Sequence, residues 1–136
     1  MREDIADGVA AGLTAAAVSG LPSTVWALAA GDDPLEATLA AGAILLPNEH
    51  SRARLAAAAV PVHLSLSLGW GIVLARLLPK RRAVAAGALA GLAIAALDLG
   101  VVGRRFAHIR ALPLLPQIAD HVVYGATVGL VLRRRR

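Results

Sequence analysis

Residues 83–102 carry one charge, Asp98, and are fenced by Arg81-Arg82 before and Arg104-Arg105 after. At ~1.5 Å of rise per residue, a helix of this length matches the ~30 Å hydrocarbon core of a bilayer. Three further apolar runs, 9–30, 55–78 and 112–132, are predicted to span as well. In the last of these, Pro113 and Pro116 shorten the uninterrupted part to 118–132, which calls for a thinned bilayer or an irregular start. With 57% hydrophobic residues, 17% charged and a mean hydropathy of +0.66, the chain lies outside the range of an ordinary water-soluble domain. The expected fold is all-α: a single transmembrane domain, 1–136, built as a bundle of four transmembrane helices. Residues 34–46 are too short to cross, and a stripe of Leu35, Leu39, Ala43 and Leu46 behind an Asp33 cap and Pro34 predicts a short interfacial helix, or one tucked against the bundle. An export signal would carry net positive charge ahead of its apolar run. Glu3, Asp4 and Asp7 here outnumber Arg2, so the first run is read as a membrane helix.

The charge of +5 is concentrated in Lys80, Arg81 and Arg82 and in the tail Arg133, Arg134, Arg135 and Arg136. Both clusters sit directly beside apolar runs, which indicates lipid headgroups as their partner and no nucleic acid. The first loop is dominated by Asp32, Asp33, Glu36 and Glu49, so the positive-inside rule places both termini in the cytoplasm. Arg104, Arg105 and Arg110 then lie outside, against the rule but outweighed by Arg76, the second loop and the tail. The Ala-, Gly- and Arg-rich usage suits a bacterial inner-membrane protein. No cysteine is present, so disulfides and thiolate chemistry are excluded.

Helices in lipid associate where small residues let backbones approach. The pairs Gly8 and Gly12, Gly87 and Gly91, and Gly125 and Gly129 are spaced for such contacts. Asp98 falls on the Gly91 face and His121 on the Gly125 face, so the contact faces carry ionisable groups. Pro22 and Pro61 lie inside spans and are expected to kink them.

A charge within a span costs on the order of 3 kcal/mol and calls for a partner. Counting inward from the outer end, Asp98 lies roughly 7 Å deep, Ser23 and Thr24 roughly 10 Å, His63 roughly 12 Å, and Asp120 and His121 within about 5 Å. With Ser67 and Tyr124 on neighbouring faces, these residues predict an outward polar cavity, Asp98 and His63 at its floor and Asp120, His121 and Tyr124 at its rim. A histidine beside a carboxylate titrates near neutral pH, which suits proton sensing or coupling. The plainer alternatives are that Asp98 is a hydrogen bond across the bundle and that Asp120 caps the fourth helix. Two His and two Asp could ligate a divalent metal, but no HxxxH or ExxH spacing supports one, and no metal or other cofactor is expected. No HExxH motif, nucleophile elbow or phosphate-binding glycine loop points to an enzyme. Leu45-Leu46-Pro47 with His50, against Leu114-Leu115-Pro116 with His121, hints at a duplicated two-helix unit.

From Val62 onward the chain resembles the YagU-like family of small bacterial inner-membrane proteins. The resemblance rests on His63 with Ser67, Leu77-Leu78-Pro79-Lys80, Gly87-Ala88-Leu89-Ala90, a proline-bearing connector, and His121 with Tyr124-Gly125. It implies the same membrane and a link to acid tolerance; the longer periplasmic insertion associated with that family is missing here. The expected function is a small channel- or transporter-like protein with a proton-responsive outer cavity, too small to enclose a pathway alone and so expected to be a homo-oligomer. The alternative is a non-transporting accessory subunit whose glycine faces and arginine tail dock a membrane partner or lipids.

Overall fold

The structure, a computed structural model, describes residues 2–136. Its helices are α1 (Arg2–Val18), α2 (Leu21–Ala30), α3 (Glu36–Gly42), α4 (Arg52–Leu77), α5 (Ala83–Leu97), α6 (Ala107–Ala111) and α7 (Leu114–Arg135), with no strand among the described residues. A π-helical turn, Asp98–Val102, and a 3-10 turn, Gly103–Arg105, prolong α5. Four segments are long and apolar enough to cross a membrane: Glu3–Ala30, Arg52–Leu77, Ala83–Arg105 and Leu114–Arg135. Many large apolar side chains point outward, while alanines make up much of the interior beside Leu74, Ile94, Val128 and Leu132. Leu28, Leu77 and Leu89 are 63%, 71% and 67% exposed, while Ala11, Ala15, Ala75 and Ala83 are buried. In water each exposed leucine would forgo ~1.5–3 kcal/mol of burial; against lipid tails it forgoes nothing, and the interior selects small residues for close approach. The chain is a multi-pass membrane protein, an all-α bundle.

The first span is broken rather than bent. Helix α1 stops at Val18 and α2 restarts at Leu21, with Pro22 in its first turn, where a missing N–H costs nothing. Pro61, in contrast, lies within α4, which runs through it unbroken. The fourth span is not shortened by its prolines. Pro113 is the N-cap of α7 and Pro116 falls in its first turn, so they start a helix of 22 residues. Gly31, in the left-handed region at φ 77°, ends α2, and the Asp32 N–H bonds back to the Ala27 carbonyl at 2.8 Å.

Glycines decide which helices meet. A Cβ on Gly87 would overlap the Gly125 carbonyl oxygen, one on Gly129 the Ala83 carbonyl, and one on Gly91 the His121 carbonyl, so α5 and α7 run backbone against backbone. Gly8 and Gly12 of α1 press likewise on the α4 backbone at Ile72 and Ser67, and Gly71 of α4 presses back on Gly8 and Gly12. Helix α1 also packs on α7, giving the order α4, α1, α7, α5. The outer two, α4 and α5, are joined by a short loop but make no sustained contact.

Both termini lie at one end. Arg135 Nε bonds Asp7 Oδ1 at 2.7 Å, Arg136 lies 3.6 Å from Asp4 Oδ1, and the Arg136 guanidinium donates to the carbonyls of Ala75 and Leu78, capping α4. Of the tail arginines expected to face lipid, Arg135 and Arg136 are therefore engaged within the protein, because the helix C-terminus and the α1 acids lie within their reach. At the opposite end α3 is held on α4 by Gly42, which sits against the Leu55 backbone. Its helical part is shorter than the predicted 34–46, because Asp33 Oδ1 accepts from the Leu35 N–H at 3.0 Å and builds a turn first. The Arg52 guanidinium, 2.5 Å from Asp33, holds that carboxyl below its ordinary range, with the Leu35 N–H adding to it. Glu49 is lowered in the same way by the Ser51 N–H and by Arg54.

Candidate binding cavity

Because α4 and α5 stand apart, a cavity of about 620 Å³ opens between them, with α1, α2 and α7 behind it. It occupies the half of the bundle away from the termini. Ser23, Thr24, His63, Ser67, Asp98, Asp120, His121 and Tyr124 all line it. The depths differ from a count along each helix. Ser67 and Tyr124 are buried, at 5% and 7% exposed, and form the floor, whereas His63 is exposed on the wall. Tyr124 lies deep because α7 begins at Leu114, ten positions earlier.

Asp98 has a histidine partner, but it is His121 rather than His63. Asp98 Oδ2 lies 3.5 Å from His121 Nε2. The reason is helix order: α7 packs directly on α5 at Gly91, while α4, which carries His63, packs on α1. His63 Nε2 lies 3.0 Å from the Ala16 carbonyl, in the last turn of α1 where carbonyls lose their helical partners. A carbonyl only accepts, so His63 donates through Nε2.

The same rule applied to His121 has a chemical consequence. Its Nδ1 lies 2.7 Å from the Gln117 carbonyl and must carry a proton. In a neutral ring Nε2 would then present a lone pair to the Asp98 carboxylate. The facing is attractive only if one further proton resides on the pair, as imidazolium with carboxylate or as imidazole with carboxylic acid. Asp98 also opens the π turn, its carbonyl accepting from Gly103 five residues on; such turns recur where a helix is adapted to a site.

Asp120 does not cap its own helix. It lies within α7, and its Oδ1 accepts from the Ser23 N–H at 2.9 Å, in the first turn of α2. Gly20, the N-cap of α2, has no side chain to do this, so α7 supplies the cap from outside. The Ser23 and Thr24 hydroxyls both donate to the Gly20 carbonyl, at 3.2 and 2.8 Å. Tyr124 Oη donates to the Ser67 carbonyl at 2.5 Å and so ties the middle of α7 to α4. Tyr124→Phe is expected to lower stability by about 1 kcal/mol, read as the unfolding midpoint in mixed micelles; an unchanged midpoint would show that the hydroxyl is not used.

Sequence reasoning did not single out Gln117, Phe106 or Gly71. Gln117 was detectable as the residue one turn before His121, and Gly71 as a small residue on the Ser67 face; Phe106 reaches the cavity only through the turns after α5. His50 and His108 do not line the cavity. Among the described residues, no three His, Cys, Asp or Glu side chains converge as metal ligands would. No family model, curated protein or solved structure matches the chain, so the resemblance to YagU-like proteins rests on its sequence motifs alone.

Proposed function

We propose that this protein is a small transporter- or channel-like protein of the bacterial cytoplasmic membrane, in which the Asp98–His121 pair takes up and releases a proton at an outward-facing cavity. The observation that carries this reading is the 3.5 Å facing of Asp98 and His121 with Nδ1 already committed to Gln117, which leaves one proton to be shared. The site lies in a cavity, so that proton has a route to exchange. Orientation follows from charge: Lys80, Arg81, Arg82 and the tail belong to one end and Asp32, Asp33, Glu36 and Glu49 to the other, which puts the termini inside. The accessory-subunit reading loses its main surface, since all six glycines it would offer to a partner are occupied within the chain.

Proton movement tests it. In liposomes with a pH dye inside and the membrane potential clamped, wild-type protein is expected to dissipate an imposed pH gradient faster than empty vesicles. Asp98→Asn removes the acid but keeps the shape, and should return the rate to that of empty vesicles. Equal rates for wild type and Asp98→Asn would rule the pair out as the proton carrier.

A further inference from the structure

The lining of the cavity has a bias in composition that proton binding alone does not require. The chain has four aromatic residues, Trp26, Trp70, Phe106 and Tyr124, and three of them, all but Trp26, line this one cavity. With 14 Lys and Arg against 9 Asp and Glu in the sequence, no Lys or Arg among the described residues lines it, whereas two carboxylates, Asp98 and Asp120, do. The rest of the wall is largely aliphatic, from Val60 and Leu66 of α4 to Ile94 and Leu99 on the α5 side. A volume of about 620 Å³ is far more than a hydrated proton or a metal ion needs and falls within the usual ~300–1,000 Å³ range for drug-sized ligands.

Aromatic side chains, half-buried carboxylates and an apolar wall without a competing cation together select one chemical class. We infer that the cavity binds a monovalent organic cation with an apolar body, such as a lipophilic amine or quaternary onium ion, and does so in exchange for the proton of the Asp98–His121 pair. The ring faces attract the cation, the carboxylates neutralise it, and the aliphatic wall covers its body. A divalent metal is disfavoured by the absence of converging ligands, and an anion by the carboxylates. The cavity lies where α4 and α5 make no sustained contact, and residues of α3 and α6 also line it.

The charge balance is simple. With the pair protonated, Asp98 and His121 together are neutral; when the cation enters, the pair gives its proton to bulk water, the carboxylate stays ionised, and the cavity's net charge is unchanged. The other titratable groups facing the site are His63 from α4 and Asp120 and Tyr124 from α7; α1 and α2 contribute none. His63 and Asp120 are already committed, to Ala16 and Ser23 respectively, so the exchange is assigned to the pair. This inference rests on the proposal that the pair holds an exchangeable proton.

The test uses two ions of nearly the same shape and opposite charge, tetraphenylphosphonium and tetraphenylborate, titrated calorimetrically into the full chain in nanodiscs, with empty nanodiscs subtracted. Tetraphenylphosphonium is expected to bind one to one, with tetraphenylborate showing no binding above empty discs. Repeating the titration in buffers of different ionisation enthalpy should give close to one proton released per cation, and affinity should fall about tenfold per pH unit once the pair is protonated. Asp98→Asn should weaken binding at least tenfold and abolish both the proton release and the pH dependence. Trp70→Leu, which keeps the charges, should weaken binding several-fold and leave proton release intact. No binding by wild type, or equal binding of the two ions, overturns the cation site. Cation binding without proton release overturns the exchange. Proton flux in liposomes without cation binding defeats this inference and leaves the proposed function standing, whereas cation binding without flux has the opposite meaning.

Discussion

Gly125→Ala is expected to separate α5 from α7 and to lower stability by about 3 kcal/mol, the upper part of the usual range for forcing volume into a packed contact. The added methyl would lie on the Gly87 carbonyl oxygen and 2.9 Å from the Gly91 nitrogen. Both are backbone atoms held in a helix, so no side chain can swing away; the helices must move apart, and the contacts of Gly87, Gly91 and Gly129 loosen with them. Gly69→Ala supplies the control. A Cβ there meets nothing within 4 Å, and replacing a helical glycine by alanine gains roughly 0.5–1 kcal/mol from lower backbone entropy. Unfolding in mixed micelles should therefore move in opposite directions for the two substitutions. Equal effects would mean that the α5–α7 approach is not what holds the bundle. The same substitution should disturb the site, since the His121 carbonyl rests on Gly91 and any widening draws His121 from Asp98.

How much of this was readable beforehand follows from the range of the interaction involved. The four spans and the three glycine pairs were legible, because length against bilayer thickness and a spacing of four residues are local properties. The start of α7 was misjudged for a local reason: Pro116 was treated as an interruption, although in a first turn its missing N–H has no helical partner to lose. The break before Leu21 and the π turn at Asp98 were not legible, since a proline inside an apolar run is compatible with a kink or a restart, and a widened turn has no distinct residue pattern. The pairing of Asp98 depended on which helices are neighbours. Depth counting grouped Asp98 with His63 at the floor and left His121 at the rim, but depth carries no information about the order α4, α1, α7, α5, and that order gives Asp98 to His121. An outward polar cavity was legible from the depths of its residues, but its walls were not: they follow from the separation of α4 and α5, which is a matter of helix order.

The second large effect is expected at Asp120. Asp120→Ala removes the acceptor of the Ser23 N–H in the first turn of α2, at a position that water reaches poorly. Leaving such a donor without a partner costs roughly 1–3 kcal/mol, and the lost bond was to a charged group, so a loss of about 2 kcal/mol is expected. Asp120→Asn keeps an oxygen in the same place and should cost less than about 1 kcal/mol. The two variants separate geometry from charge: if the carboxylate serves mainly as a cap, Asn rescues stability, and the Ser23 amide, slow to exchange with deuterium in wild type and Asn, becomes fast in Ala. Identical exchange in all three would mean that α2 holds its first turn without α7. The contrast matters for the cavity because Gly20 supplies no cap and a broken span has no continuous hydrogen-bond ladder to fix its second half. With Asp120 in place, the wall formed by Ser23 and Thr24 is tied to the helix that carries His121; without it, α2 can pivot about the break, and the outer half of the cavity loses a defined side.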